Sequence, residues 1–247
     1  MKISICMAVY NGEKYLHKQI NSILTQLSVE DEIIVIDDTS TDSSVKILDD
    51  FNDPRISIHQ NNKNAGVVIS FEKAVSMANG EIIFLSDQDD VWLPNKTRKF
   101  LEIFQSHPTI TLVLSDAQII DDKDRITASS YFNLRGEFSD NLFTNIIKNK
   151  YHGCTMAFRR EILDIAIPFP HDIPMHDMWI GLVNSIYGKT FYIDEPLIQH
   201  RRHNNNTGRG FNNSANLFLI IKWRLILIKN LILLIFKNPP KRMQHYK

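Results

Sequence analysis

Two cysteines are all that the 247 residues contain, Cys6 inside an apolar run and Cys154 after a glycine. That scarcity excludes a disulfide framework and a cysteine-rich zinc cluster, and it fits a reducing compartment. Charge of one sign is also missing. Lys+Arg and Asp+Glu both count 28, so no global field attracts nucleic acid, and nucleic acid is not an expected partner. No small-residue cleavage site follows the short apolar run Ile3 to Val9, so a secretory signal is not expected and the catalytic part should stay in the cytoplasm. The first apolar run is followed by Tyr10-Asn11-Gly12-Glu13 rather than by a glycine-rich loop with arginine and lysine. That absence argues against an enzyme that builds sugar nucleotides and needs such a phosphate loop. What is present is apolar content of 43%, enough for the core of one large α/β domain and too much for a disordered chain.

The apolar residues fall in an alternating order. Ile3 to Ala8 reads as a buried strand, Asn11-Gly12 as the turn leaving it, and Leu16, Ile20, Ile23, Leu24 and Leu27 as one face of a helix. Ile33 to Ile36 is a second strand ending on Asp37-Asp38, with Thr39 to Asp42 as a capping segment for a helix carrying Val45, Leu48 and Phe51. A third strand, Ile56 to His59, precedes a helix with Phe71, Ala74, Val75 and Ala78 on one face, closed by Gly80. Ile82 to Leu85 follows as a fourth. Short connections between strands and helices predict a mainly parallel sheet with helices on both faces and ligands at the carboxyl ends of its strands. Beyond a helix around Phe100, Leu101 and Phe104, the strand Leu112 to Leu114 ends at Ser115-Asp116, and Tyr151 to Phe158 reads as a strand covering one end of the sheet.

Carboxylates collect where the ligand should be. Ser86-Asp87-Gln88-Asp89-Asp90-Val91-Trp92 puts three of them just beyond the fourth strand, where they repel unless a cation or protons sit among them. Oxygen ligands of this kind favour Mg²⁺ or Mn²⁺, completed by substrate phosphates; a solvated acidic turn before the helix at Pro94 is the alternative. Met175-His176-Asp177 opens a helix that Gly188 terminates, so Asp177 is either a working carboxylate or an ordinary N-cap. Gln199-His200-Arg201-Arg202-His203 is either solvated surface or a clamp for a diphosphate, and it runs into a mobile loop over Asn204 to Asn216. The segment Leu217 to Phe236 is long enough to span a bilayer at about 1.5 Å per residue. Lys222, Arg224 and Lys229 near its middle, at roughly 2.5–3.5 kcal/mol each, favour a helix lying in the interface instead. Lys222 and Lys229 share one helix face while Arg224 falls on the other, and packing on the body or on a second copy as a homodimer is the alternative.

Taken together, Met7-Ala8-Val9-Tyr10-Asn11-Gly12, Ile36 to Asp42, Ser86 to Trp92 and Met175 to Trp179 make the chain similar to family 2 glycosyltransferases of the nucleotide-diphospho-sugar (GT-A) fold. The form Ser86 to Trp92 resembles a subgroup of rhamnosyltransferases that build bacterial surface polysaccharides. The resemblance implies a catalytic domain over 1–207, with 1–120 as the nucleotide-sugar half and 121–207 as the acceptor half, and 208–247 as a loop and a membrane-associating helical tail. It implies that Ala8, Tyr10 and Asp38 line the nucleoside pocket, with Asp38 accepting from the imide N–H of either uracil or thymine. Asp89 is the implied main metal ligand, with His203 beside it and Asp87 nearer the donor sugar or ribose. Arg201 and Arg202 fall to the donor diphosphate and Asp177 to the general base of an inverting transfer. A helix N-terminus lowers a carboxylate's pKa, so Asp177 is expected to be charged near neutral pH. Thr39 stands where the family has glycine, an expected local change in the turn after Asp38. Gln199-x-x-Arg202-His203 is similar to the Q-x-x-R-W of processive synthases without its tryptophan, which implies single sugar addition. The implied donor is dTDP-rhamnose or a UDP-sugar, the acceptor a lipid-linked glycan, and the place of action the inner face of the plasma membrane. A non-catalytic nucleotide-binding or acidic-pocket domain of receiver type is the competing reading; it is near half this length and leaves 175–207 unexplained.

Overall fold

The computed structural model describes residues 1–203 and 217–240. Strand and helix alternate as the apolar pattern predicts: β1 (Ile3–Val9), α1 (Glu13–Leu24), β2 (Glu32–Asp37), α2 (Ser44–Asp50), β3 (Ile56–Gln60), α3 (Val67–Met77) and β4 (Ile82–Ser86). The second part holds β5 (Val91–Trp92), α4 (Lys96–Ser106), β6 (Leu112–Ile120), β7 (Ile126–Ala128), α5 (Tyr131–Arg135), α6 (Leu142–Ile147) and β8 (Met156–Arg159). It continues with α7 (Leu163–Ala166), α8 (His176–Tyr187), β9 (Thr190–Arg201) and α9 (Leu217–Lys237). The strands form one sheet in the order β3-β2-β1-β4-β8-β6-β9-β5, with β7 beside β6. β3, β2, β1 and β4 are mutually parallel, and β8 is antiparallel to both β4 and β6. β6 therefore runs with β4, and β9, parallel to β6, delivers its own carboxyl end to the same edge.

The period of two in each strand splits the core between the two faces. Cys6, Ile34, Ile36, Ile83, Leu85, Leu112 and Leu114 meet α3 and α8 on one side. Ile5, Met7, Ile33, Val35, Phe84 and Val113 meet α1 and α4 on the other. The central strands β2, β1, β4, β8 and β6 are thus buried on both faces, as continuous β-branched runs require.

Three local expectations are corrected. The stretch 151–158 is not a strand over the end of the sheet. A 3₁₀ turn, Gly153–Thr155, precedes β8, which sits between β4 and β6 because Met156, Ala157 and Phe158 are buried on both sides. β6 does not stop at Asp116 but runs to Ile120, and the buried Asp116 carboxylate accepts from the N–H groups of Tyr131 (3.1 Å) and Phe132 (3.2 Å) at the start of α5. Nor does Gly80 close α3, whose last turn ends at an extended Ala78. Gly80 is needed because a Cβ there would lie 2.5 Å from the Ser4 nitrogen and 2.6 Å from the Ile3 carbonyl carbon.

α9 packs on the body along one stripe only. Leu227 and Leu231 are buried, and Arg224 donates to the carbonyl of Ile147 (3.0 Å), which accounts for an arginine opposite the two lysines. Phe218, Ile221, Leu225, Ile232, Leu233 and Phe236 are exposed on the helix. Among the described residues no helix is long and apolar enough to cross a membrane. The loop expected over Asn204 to Asn216 lies outside the described residues.

Candidate active site

The carboxyl ends of β1, β2, β4 and β9 converge, and with them nearly every residue singled out in the sequence. At the end of β1, Ala8 is half-buried and Tyr10 is exposed. Gln88 fixes the Tyr10 peptide from both sides: its Oε1 accepts from the Tyr10 N–H (2.8 Å) and its Nε2 donates to the Tyr10 carbonyl (3.1 Å). Gly12 makes room for that amide, since a Cβ there would fall 2.6 Å from Gln88 Oε1. At the end of β2 the buried Asp38 accepts from Asn61 Nδ2, Ala65 N and Gly66 N, each at 2.8 Å, so the loop after β3 is tied to this carboxylate. Thr39 adopts φ 66°, the left-handed conformation in which glycine is unstrained and a β-branched residue is not. The turn keeps a glycine-like backbone with threonine in it, and the strain sits beside the site.

Beyond β4 the carboxylates diverge in role. Asp89 is buried, with Oδ2 2.7 Å from His203 Nε2, and the His203 ring stacks on Tyr15 at 5.2 Å. Asp90 is fully enclosed; its Oδ1 accepts from the Arg201 N–H (2.8 Å) and lies 3.1 Å from His200 Nδ1. Burial opposes charge on both members of that pair, yet their mutual attraction holds Asp90 below and His200 above the ordinary values. Among the described residues Asp87 has no such hydrogen-bonded partner. Burial, then the like charges of Asp90 and Asp89, push its carboxyl well above the usual range. A cation at the mouth would relieve this, and the Asp89 carboxylate, the His203 imidazole and the Asp87 carboxylate offer the oxygen and nitrogen donors that Mn²⁺ or Mg²⁺ takes.

Arg201 is corrected from the sequence reading. It is 1% exposed, and its guanidinium donates to the Asp89 carbonyl (2.7 Å) and the Asp121 carbonyl (2.8 Å) and pairs with Asp124 (2.6 Å). A side chain committed in this way positions the Asp89 loop and has no reach to a diphosphate. Arg202 points differently: it is exposed, with its guanidinium 5.7 Å from the Tyr131 ring centroid.

Asp177 does not cap its helix. The N-cap is Met175, and the Asp177 carboxylate accepts from Gly153 N (2.9 Å) in the turn before β8 and from Met178 N (2.6 Å). Burial outweighs both hydrogen bonds and raises its pKa to about 6, opposite to the expected lowering by the helix N-terminus. Its charge is near enough to add to the rise at Asp87. The neighbouring His176 is stacked on Phe71 at 3.8 Å with both ring nitrogens unpartnered, and burial pulls its pKa to about 3. It stays neutral and is no substitute base.

Lys96 was not legible in the sequence, where it looks like one more cation on a charged helix. It is 0% exposed, donates to the Cys154 carbonyl (2.6 Å) and lies 4.2 Å from the Trp92 ring centroid. Burial lowers its pKa to about 8, while the nearby Cys154, Asp90 and Asp87 pull it back up. A buried ammonium beside the Asp90 and Asp87 carboxylates offsets part of their charge.

An open, mainly parallel sheet with buried carboxylates at its carboxyl edge is the arrangement of GT-A sugar transferases. The chain belongs to glycosyl transferase family 2, which matches over residues 4–165. It is 31% identical over 219 residues to an uncharacterized glycosyltransferase of Nostoc sp., covering 83% of this chain and 66% of that protein. It is 28% identical over 248 residues to the dTDP-rhamnosyl transferase RfbG of Shigella flexneri, covering 91% and 79%. Its fold superposes on S. aureus TarS 1–349 in complex with UDP-GlcNAc with a TM-score of 0.73 at 19% identity, over 93% of this chain and 67% of that one.

Proposed function

We propose that the protein moves a sugar, with inversion, from dTDP-rhamnose or a UDP-sugar to a hydroxyl of a lipid-linked surface-polysaccharide precursor at the inner face of the plasma membrane. The observation that carries this is the buried Asp177, with a pKa near 6, close enough to Asp87 for their charges to interact beside the Asp89–His203 pair. The catalytic unit runs through residue 207. Ala8 and Tyr10 hold the base, and Asp38 accepts from the pyrimidine imide N–H alongside its loop donors. Asp87 binds the donor sugar or ribose, and Arg202 meets the diphosphate. Asp89 and His203 would hold a divalent cation, which would supply Lewis-acid stabilisation of the leaving diphosphate. Asp177 takes the proton of the acceptor hydroxyl as its oxygen attacks the anomeric carbon from the face opposite the departing phosphate. A base in that position contributes roughly 10²–10⁴-fold. The test is a screen of nucleotide sugars for release of nucleoside diphosphate, with Mn²⁺ and with EDTA. Cation-dependent release from a dTDP- or UDP-sugar is expected; no release and no nucleotide binding under any condition would overturn the reading.

The proposed membrane contact rests on α9. Its exposed apolar residues flank Lys222 and Lys229, and Lys229 lies 3.9 Å from Asp172 at the rim. Cations beside an apolar face suit an anionic leaflet at about 1 kcal/mol each. The double variant Lys222→Glu, Lys229→Glu should bind vesicles containing phosphatidylglycerol at least about tenfold more weakly than the parent. A parent protein that ignores such vesicles and instead dimerises with concentration assigns the face to a second copy.

A further inference from the structure

Beneath the outer mouth lies a second convergence of donor atoms with a different chemistry. Among the described residues, one ligand atom each from Asp87, Asp90, Cys154 and His200 fall within 4.8 Å of one another. Cys154 Sγ is 3.7 Å from His200 Nδ1, which is 3.1 Å from Asp90 Oδ1. Four ligands at zinc bond lengths of about 2.0–2.3 Å stand roughly 3.3–3.8 Å from each other in a tetrahedron. The separations here bracket that range without an ion to draw them in. Three separate segments supply the donors: the loop after β4, the 3₁₀ turn before β8, and the end of β9.

We propose that Asp87, Asp90, Cys154 and His200 form an inner site for a borderline divalent cation of the zinc class, distinct from the oxygen-and-imidazole pair Asp89–His203. Thiol and imidazole together select Zn²⁺ or Co²⁺ over Mg²⁺. The site is built rather than incidental. The Arg201 N–H orients Asp90, and Lys96 holds the Cys154 carbonyl from below. Asp90 Oδ2 is buried with no hydrogen-bond partner, and so is Nε2 of His152, whose ring packs edge-on against His200 at 4.5 Å. An unsatisfied buried carboxylate oxygen is costly, and a thiol is a weak donor to offset it. A cation satisfies it. Binding displaces the protons held by the Cys154 thiol and the Asp87 carboxyl and the one shared by His200 and Asp90, leaving a thiolate, a neutral imidazole and two carboxylates around a doubly charged ion. Lys96 then cancels the single negative charge that remains.

The ion site rests on this geometry alone. Its consequence rests on the proposed donor role of Asp87: an ion that recruits Asp87 inward removes it from the donor, so micromolar Zn²⁺ should inhibit transfer that Mn²⁺ supports. The decisive measurement needs no activity. Co²⁺ is titrated into the full-length, metal-stripped protein without nucleotide, and the near-ultraviolet sulfur-to-cobalt charge-transfer band is read. One equivalent of Co²⁺ with that band is expected for the parent and for Asp89→Asn, which lacks only an outer ligand. Cys154→Ser should lose the band and bind Zn²⁺ at least about tenfold more weakly. No thiolate band in the parent, or unchanged Zn²⁺ affinity in Cys154→Ser, overturns the inner site while leaving the transferase reading untouched.

Discussion

Asp89→Asn is expected to cut turnover by about 10³-fold or more and to abolish the stimulation of nucleotide binding by Mn²⁺, with little change in melting temperature. The magnitude follows from the role proposed for the carboxylate. Lewis-acid neutralisation of a leaving diphosphate supplies several kcal/mol in the transition state, and about 4 kcal/mol is three decades of rate. The expected tolerance of the fold follows from how the loop is held. Arg201 grips the Asp89 main-chain carbonyl, not the carboxylate, and ties it to Asp121 and Asp124. Asparagine keeps that carbonyl and still offers an oxygen to His203. The measurement is turnover together with calorimetric binding of UDP or dTDP across a Mn²⁺ titration. Full turnover with the parent's metal dependence would remove Asp89 from the metal site.

The first half of the fold was readable because its strands and helices follow each other locally and each ends on a marker the chain displays. β2 ends at Asp37 and β4 at Ser86, each followed by an aspartate, and buried parallel strands show up as unbroken β-branched runs. The readings failed where pairing is not local. β8 slots between β4 and β6, a placement set by partners about 75 and 45 positions away that no window of sequence displays. Side-chain direction was equally hidden. Arg201 and Arg202 are neighbours on an extended strand end, so one points into the protein and the other to solvent, and a period of two does not say which. Lys96 and Asp177 were misjudged for one reason: burial of a charged side chain depends on what covers it. At Asp177 that burial reverses the sign of the expected pKa shift.

That reversal gives the prediction with the clearest sign. A base whose pKa is about 6 is fully ionised at pH 7.5 and more basic than an ordinary aspartate, so kcat/KM should be level above pH 7 and fall tenfold per unit below about pH 6. Asp177→Asn removes the proton acceptor and should lower kcat by roughly 10²-fold or more, flatten the acid limb, and leave the nucleotide-sugar Kd within about twofold. Stability separates this from a structural role. The folded pKa lies above the model-compound value of 3.8, so the native state favours the protonated carboxyl. The cost of keeping it ionised is complete above pH 6, is relieved as pH falls, and is gone below 3.8. At pH 7.5 that cost is about 3 kcal/mol from the shift of about two units. Asparagine escapes it but presents one acceptor to two N–H groups, from Gly153 and Met178, a loss of roughly 1–3 kcal/mol. The two offset at pH 7.5, where the melting temperatures should nearly coincide. At pH 5 roughly half of that cost is relieved in the parent and the variant is not helped, so the variant should melt lower. A variant with parental turnover and a melting difference independent of pH would make Asp177 a structural carboxylate only.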